Sequence, residues 1–296
     1  MKKNITLFSF FLLFISQNIK SQDLMDLLGN DKPSKEFATA AFKTTHLILG
    51  QSIENVAKGH LNFIIAHHFG RVNEGSYNFW GLDQSTIRIG LEYGITDKLE
   101  VGLGRSSYQK TIDGFVKYKI LRQNNMNMPI SISYFGGMAI NTLKWEDPTR
   151  DNFFSSRLSF VNQLLIARKF NDKLSLQLMP SFVHKNLVKR VIDQNNIFAI
   201  GGGGRYKLTK RLSVNAEYYQ LLPGQTADDF DNSLSLGVDI ETGGHVFQLF
   251  FTNSQPLFER GFITETQGKW NKGDVFFGFN IIRTFAVVKP KAFRKE

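Results

Sequence analysis

Apolar and polar residues alternate strictly along much of this chain, and the polar parity carries full charges. In STIRIGLEYG, Ile87, Ile89, Leu91 and Tyr93 oppose Arg88, Gly90 and Glu92. After Thr96-Asp97-Lys98 the pattern resumes, with Leu99, Val101 and Leu103 set against Glu100, Gly102 and Gly104. Period two means a strand whose two faces meet different surroundings. The same alternation recurs in VKYKI, LSLQLMPSF, IFAIGGGGRYKL, LSVNAEYY and NSLSLGVDIE. Many of these runs reach about ten residues, where strands of soluble proteins usually run about five or six.

The connections repeat a second pattern. Thr96–Lys98, Asn171–Lys173, Thr209–Arg211 and Thr242–Gly244 are tight, whereas Arg71–Gln84, Lys144–Asn152, Asn186–Asn195, Leu222–Asn232 and Gln255–Asp274 are long and polar. Short turns on one side and long loops on the other are expected of an outer-membrane barrel. The sequence therefore predicts an all-β, transmembrane, antiparallel up-and-down barrel of about 12 strands (12–14). They lie near 60–69, 84–95, 99–108, 112–122, 129–142, 153–169, 174–184, 196–208, 212–221, 232–242, 245–254 and 273–286. A soluble β-sandwich is the competing fold, and both strand length and loop segregation argue against it.

The first 22 residues, MKKNITLFSFFLLFISQNIKSQ, have a basic start, a short apolar core and a polar end. That is the pattern of a secretory signal peptide, with cleavage expected near Gln22. No later run approaches the roughly 18 apolar residues of a membrane-spanning helix. Residues 23–58 form an N-terminal periplasmic or plug segment, 59–286 the barrel and 287–296 a basic tail. Within residues 23–58, FKTTHLILG (42–50) fits an extra strand, a plug or a lumen-crossing segment equally well. The expected location is the outer membrane of a Gram-negative bacterium, with outer-membrane lipid as the immediate partner. Oligomeric state is not legible.

In such a barrel Ile87, Ile89, Leu91 and Val101 face lipid, and the charged parity faces the lumen. The lumen-lining candidates are Arg88, Glu92, Glu100, Lys117, Lys119, Arg205, Lys207, Glu217, Asp239 and Glu241. Glu92 and Glu100 are expected nearly level on neighbouring strands, so a cation, Lys117, Lys119 or Arg205, should lie between them.

Other chemistries find little support. The chain has no cysteine, which excludes disulfides, thiolate metal sites and thiol catalysis. The six histidines form no i,i+2 or i,i+4 pair, so no metal or other cofactor is expected. No G-x-S-x-G elbow is present, and GGGG at 201–204 lacks the lysine and helix of a phosphate loop. Enzymatic function is not expected; a barrel lipid hydrolase using His67 on the lipid face is a distant third possibility. The excess of 36 Lys and Arg over 26 Asp and Glu is dispersed and interleaved, so it does not point to nucleic acid.

The segments FATAAFKTTHLILGQSIENVAKGHLNF, HHFGRVNEGSYNFWGLDQSTIRIGLEYGITDKL, LKWEDPTRDNFFSSRLS, GGRYKLTKRLSVNAEYY and SLSLGVDIETGGHVFQLFFTNS make the chain resemble a family of exported outer-membrane β-barrel proteins of unknown function from Bacteroidetes. That resemblance implies a barrel and brings no activity with it. Two functions remain open: a channel or transporter for a small polar solute, or a non-conducting structural or docking barrel of the envelope.

Overall fold

The computed structural model describes residues 34–188, 190–226 and 229–288. The proposed leader, its cleavage site and the tail beyond residue 288 lie outside them. The chain divides at Lys35–Glu36, and the unit from Glu36 onward is one closed antiparallel barrel.

Its strands are β1 (His60–Arg71), β2 (Ser85–Gly94), β3 (Leu99–Ser106), β4 (Ile112–Leu121), β5 (Ser131–Ile140), β6 (Leu158–Lys169), β7 (Leu174–Lys185), β8 (Asn196–Lys207), β9 (Leu212–Leu221), β10 (Ser233–Thr242), β11 (His245–Thr252) and β12 (Phe276–Ala286). Each pairs with its sequence neighbours, and β1 closes on β12 from His60↔Ala286 to Arg71↔Phe276. Closure satisfies every strand edge, which a sheet in hydrocarbon requires. Among the described residues no helix is long and apolar enough to cross a membrane.

Three of the tight turns are built alike. Thr96, Asn171 and Thr209 each begin a turn and accept, through a side-chain oxygen, the N–H of Leu99, Leu174 and Leu212 three residues on, at 2.9, 2.8 and 3.0 Å. A short polar side chain thus completes the turn locally. These turns mark one rim, the turn end; the long connections mark the other, the loop end.

The strand predicted from 153 begins instead at Leu158. Residues Phe154–Arg157 form a 3₁₀ turn, because the Arg157 guanidinium donates to the carbonyls of Asn141 (2.7 Å) and Leu143 (2.6 Å) and stacks 3.7 Å from the Trp145 ring. The other strand ends fall close to the predicted ones.

Parity sorts the wall. Ile87, Ile89 and Leu91 are exposed outward, while Arg88 and Glu92 between them are 5% and 1% exposed. Glycine makes space for the charge: a Cβ at Gly104 would lie 2.3 Å from Arg88 Nη2.

Leu91 and Leu236 are about half-exposed on the outer wall. Leu91→Arg or Leu236→Arg should each cost about 2–4 kcal/mol of barrel stability, read by heat-modifiable gel mobility. Arginine at Ser235, on the inner parity, is no neutral control, because Ser235 is fully buried and donates to Thr252 Oγ1 at 2.9 Å.

Candidate functional site

The lumen is occupied from both ends. From the turn end, residues 36–58 enter along the β4–β5 connection, where Ala38 N–H donates to the Gln123 carbonyl at 2.9 Å. The segment then reverses in a tight turn. Ser52 N–H donates to the Thr45 carbonyl and Leu47 N–H to the Gly50 carbonyl, both at 2.8 Å, so Leu47–Gly50 form the tip. The stretch at 42–50 is thus part of a hairpin that enters the lumen from the turn end and returns to it, a plug and not a wall strand. It has too few regular partners for a sheet, so wall side chains complete its backbone.

Glu217 on β9 accepts the N–H groups of Leu49 (2.8 Å), Gly50 (3.1 Å) and Ile48 (3.3 Å). Gln248 donates to the Leu47 carbonyl (2.9 Å), Asn280 to that of Ile48 (2.8 Å) and Gln177 to that of Gln51 (2.7 Å). Irregular backbone at membrane depth is tolerated only when protein groups satisfy it in this way. The fit at Gly50 is close: a Cβ there would lie 2.1 Å from the Tyr219 hydroxyl. Leu47 and Ile48 bury their side chains in an apolar cluster with Phe135, Leu165, Met179, Phe250 and Phe262.

From the loop end, the long connection between β11 and β12 folds inward and carries a short helix, α1 (Glu259–Thr264). Phe262 packs against Tyr219 with ring centroids 5.3 Å apart. Glu265 anchors this connection by accepting from Lys185 (2.9 Å) and Arg260 (2.8 Å). The two fillers meet where Gln51 Nε2 donates to Glu259 Oε1 at 3.1 Å. The sequence places this connection among the external loops; its inward turn carries no periodic signal.

Charges bind fillers to wall. Glu92 accepts from His46 Nε2 (2.7 Å) and from the Thr45 hydroxyl (2.5 Å). Lys117 lies 3.3 Å from Glu100 and donates to Gln51 Oε1 at 3.0 Å. Arg88 makes a two-point contact with Asp113 across β3, one bond of it 3.0 Å. Glu100 Oε2 also accepts the N–H of Val56 at 2.9 Å, where the segment leaves the lumen.

A model of the family described as "Membrane bound beta barrel domain (DUF5777)" matches residues 42–285. The chain belongs to that family. The match begins within the lumen segment, so filler and wall share one family domain. No curated protein matches the sequence of this DUF5777 barrel. Among solved structures, it is similar to the KdgM porin in complex with disordered oligogalacturonate (10% identity, 76% of this chain and 99% of that one, TM-score 0.48). It is also similar to the NanC porin (8%, 76% and 98%, 0.47) and to the COG4313 outer membrane channel from Pseudomonas putida F1 (14%, 79% and 98%, 0.45). Likeness at this level carries no argument about solute.

Of the ten predicted lumen residues in the DUF5777 barrel, Arg88, Glu92, Glu100, Lys117, Arg205, Glu217 and Asp239 are buried inside the wall. Arg205 donates to the Ala40 carbonyl (3.2 Å), and Asp239 accepts from Gln248 (2.9 Å). Lys119 and Lys207 are half-buried towards the turn end, and Glu241 is exposed there against Lys43. The register sets Glu100 opposite Gly94, two residues from Glu92, so the carboxylates are not level. Lys117 serves Glu100, and His46 serves Glu92. Asp113 escaped the sequence argument although the parity of Lys117 reaches it; His46 and Glu259 lie in non-periodic segments that give no such signal.

Glu217→Ala would strand three buried donors at about 1–3 kcal/mol each, so the segment should unseat. Gly50→Ala should do the same by steric overlap. Limited proteolysis of residues 41–56 in the folded barrel checks both, with faster cleavage expected than in the wild type.

A pH effect follows from His46. Burial opposes its charge, but the Glu92 carboxylate outweighs this, with Glu259 adding to it and Arg88 opposing, and the pKa rises above the ordinary value. The raised value makes the seated state favour protonation, so the contribution is complete below about pH 6.5 and is lost as pH rises through the raised pKa. Protease access to the segment should be greater at pH 9 than at pH 6, and Glu92→Gln should flatten that difference.

Proposed function

We propose that this membrane barrel is an outer-membrane channel for a small polar solute, closed at rest by its own N-terminal segment and the inward α1 connection. The observation that carries the proposal is the chemistry of the grip. Glu217, Gln248, Asn280, Gln177 and Glu92 hold the segment through hydrogen bonds. Water can take over these bonds when the segment moves, so the part of the wall that grips it is wettable, beside an apolar patch of Phe135, Leu165, Met179 and Phe250. Because the segment precedes β1 in sequence, its departure breaks no strand pairing.

A non-conducting envelope barrel is the second reading. It is favoured by the apolar cluster around Leu47 and Ile48, which resembles a permanent core more than a gate. Conductance in planar bilayers distinguishes the two. Wild type should show rare openings, and Glu217→Ala should show frequent ones. A cysteine pair, Leu47→Cys with Gly203→Cys, can tether tip to wall without competing thiols, since the chain has none. Oxidation should abolish the openings and reductant restore them. Silence in every variant would favour the non-conducting barrel. The mature chain should also begin near Asp23 and fractionate with the outer membrane, as N-terminal sequencing of that fraction would report.

A further inference from the structure

Most of the buried cations in the lumen are neutralised in place: Arg88 by Asp113, Lys117 by Glu100 and Lys185 by Glu265. The turn-end mouth departs from this balance. There the N-terminal segment and the wall enclose a cavity of about 40 Å³, bordered by Lys119, Arg122 and Lys169 with Glu54 as its single carboxylate.

One oxygen of that carboxylate is engaged, since Glu54 Oε1 accepts the N–H of Ala41 at 2.7 Å and of Phe42 at 3.4 Å, while its charge still offsets one of the cations. Lys169 lies 3.3 Å from Asp172, whose carboxylate is 93% exposed so that water screens the pair, and its Nζ also donates to the Thr39 carbonyl at 3.2 Å. The Arg122 guanidinium sits over the Phe37 ring at 4.8 Å and makes no side-chain hydrogen bond or ion pair among the described residues. The Lys119 ammonium makes no side-chain hydrogen bond or ion pair among the described residues, while its backbone N–H donates to the Lys98 carbonyl at 2.8 Å. At the register position beside it, the buried Ser133 hydroxyl has no hydrogen-bond partner either.

We propose that this mouth cavity binds a small oxyanion, phosphate or carboxylate, between the N-terminal segment and the wall. Three cations against Glu54 and the exposed Asp172 leave one positive charge that an anion would neutralise, and guanidinium and ammonium donors suit oxyanion oxygens. Size agrees. A water needs roughly 10–15 Å³ of such volume, so the cavity takes about three or four water-sized groups, close to one phosphate or carboxylate. Both a closed and a conducting barrel would hold the anion, so the site does not rest on the channel proposal.

The test is isothermal titration of the full mature chain in detergent with inorganic phosphate, and separately with acetate, against constant chloride. Saturable binding of either anion is expected. Lys119→Gln with Arg122→Gln should weaken it at least tenfold, whereas Glu54→Gln, which keeps the acceptor for Ala41 N–H and removes the negative charge, should tighten it. Binding of phosphate alone or of both anions supports the site and defines the oxyanion it takes. Absence of saturable binding by the wild type, or equal affinity in the double variant, overturns it. Heat-modifiable mobility verifies folding; if the double variant fails that check, Lys169→Gln at the same rim replaces it, with weaker binding expected and unchanged affinity overturning the site.

Discussion

Twelve closed strands enclose more space than their own inward side chains fill. Barrels of about eight strands can pack their interiors with wall residues alone, and much larger ones leave an aqueous channel. At this intermediate width the wall needs something else inside. The protein uses two segments of its own chain, and most of the remaining interior arrangement follows from them. Glycines stand where a wall side chain would collide with Arg88 or Tyr219. Amides and carboxylates stand where a filler exposes an unpaired backbone group.

The buried ions follow the same logic. A charge removed from water is expensive unless both partners and their spare hydrogen-bonding atoms are satisfied. Here one wall charge often pairs with another wall charge while also touching a filler. Lys117 binds Glu100 and Gln51, and Glu100 accepts from Val56. Such groups fix where the fillers sit more than they add to net stability, and they make wall and filler mutually dependent.

This division explains what the sequence discloses. The wall was legible because each strand has two solvents, and parity reports them directly: Ile87, Ile89 and Leu91 outward, Arg88 and Glu92 inward. The turns were legible because Thr96, Asn171 and Thr209 complete them locally. The fillers were not, since Leu47 to Gln51 owe their conformation to residues scattered over β7, β9, β11 and β12, and Glu259 meets the other filler, at Gln51. No local period records a partner about 170 residues away, as Glu217 is from Leu49. The site was thus half-readable: the wall charges could be named, but what they hold could not.

Gly59 joins the lumen segment to the barrel. Its N–H donates to the Gly94 carbonyl at 2.8 Å, and its carbonyl accepts from Val287 and Val288, both at 2.9 Å. The residue is pinned between β2 and the end of β12, so the segment can swing about this point but cannot drift away from it. Mechanically it is a ligand on a leash. Short flexible tethers hold a binding group at millimolar effective concentration, so individually weak contacts suffice to keep the seat occupied. In a barrel that opens as proposed above, a competitor from solution must overcome that local excess before the lumen empties.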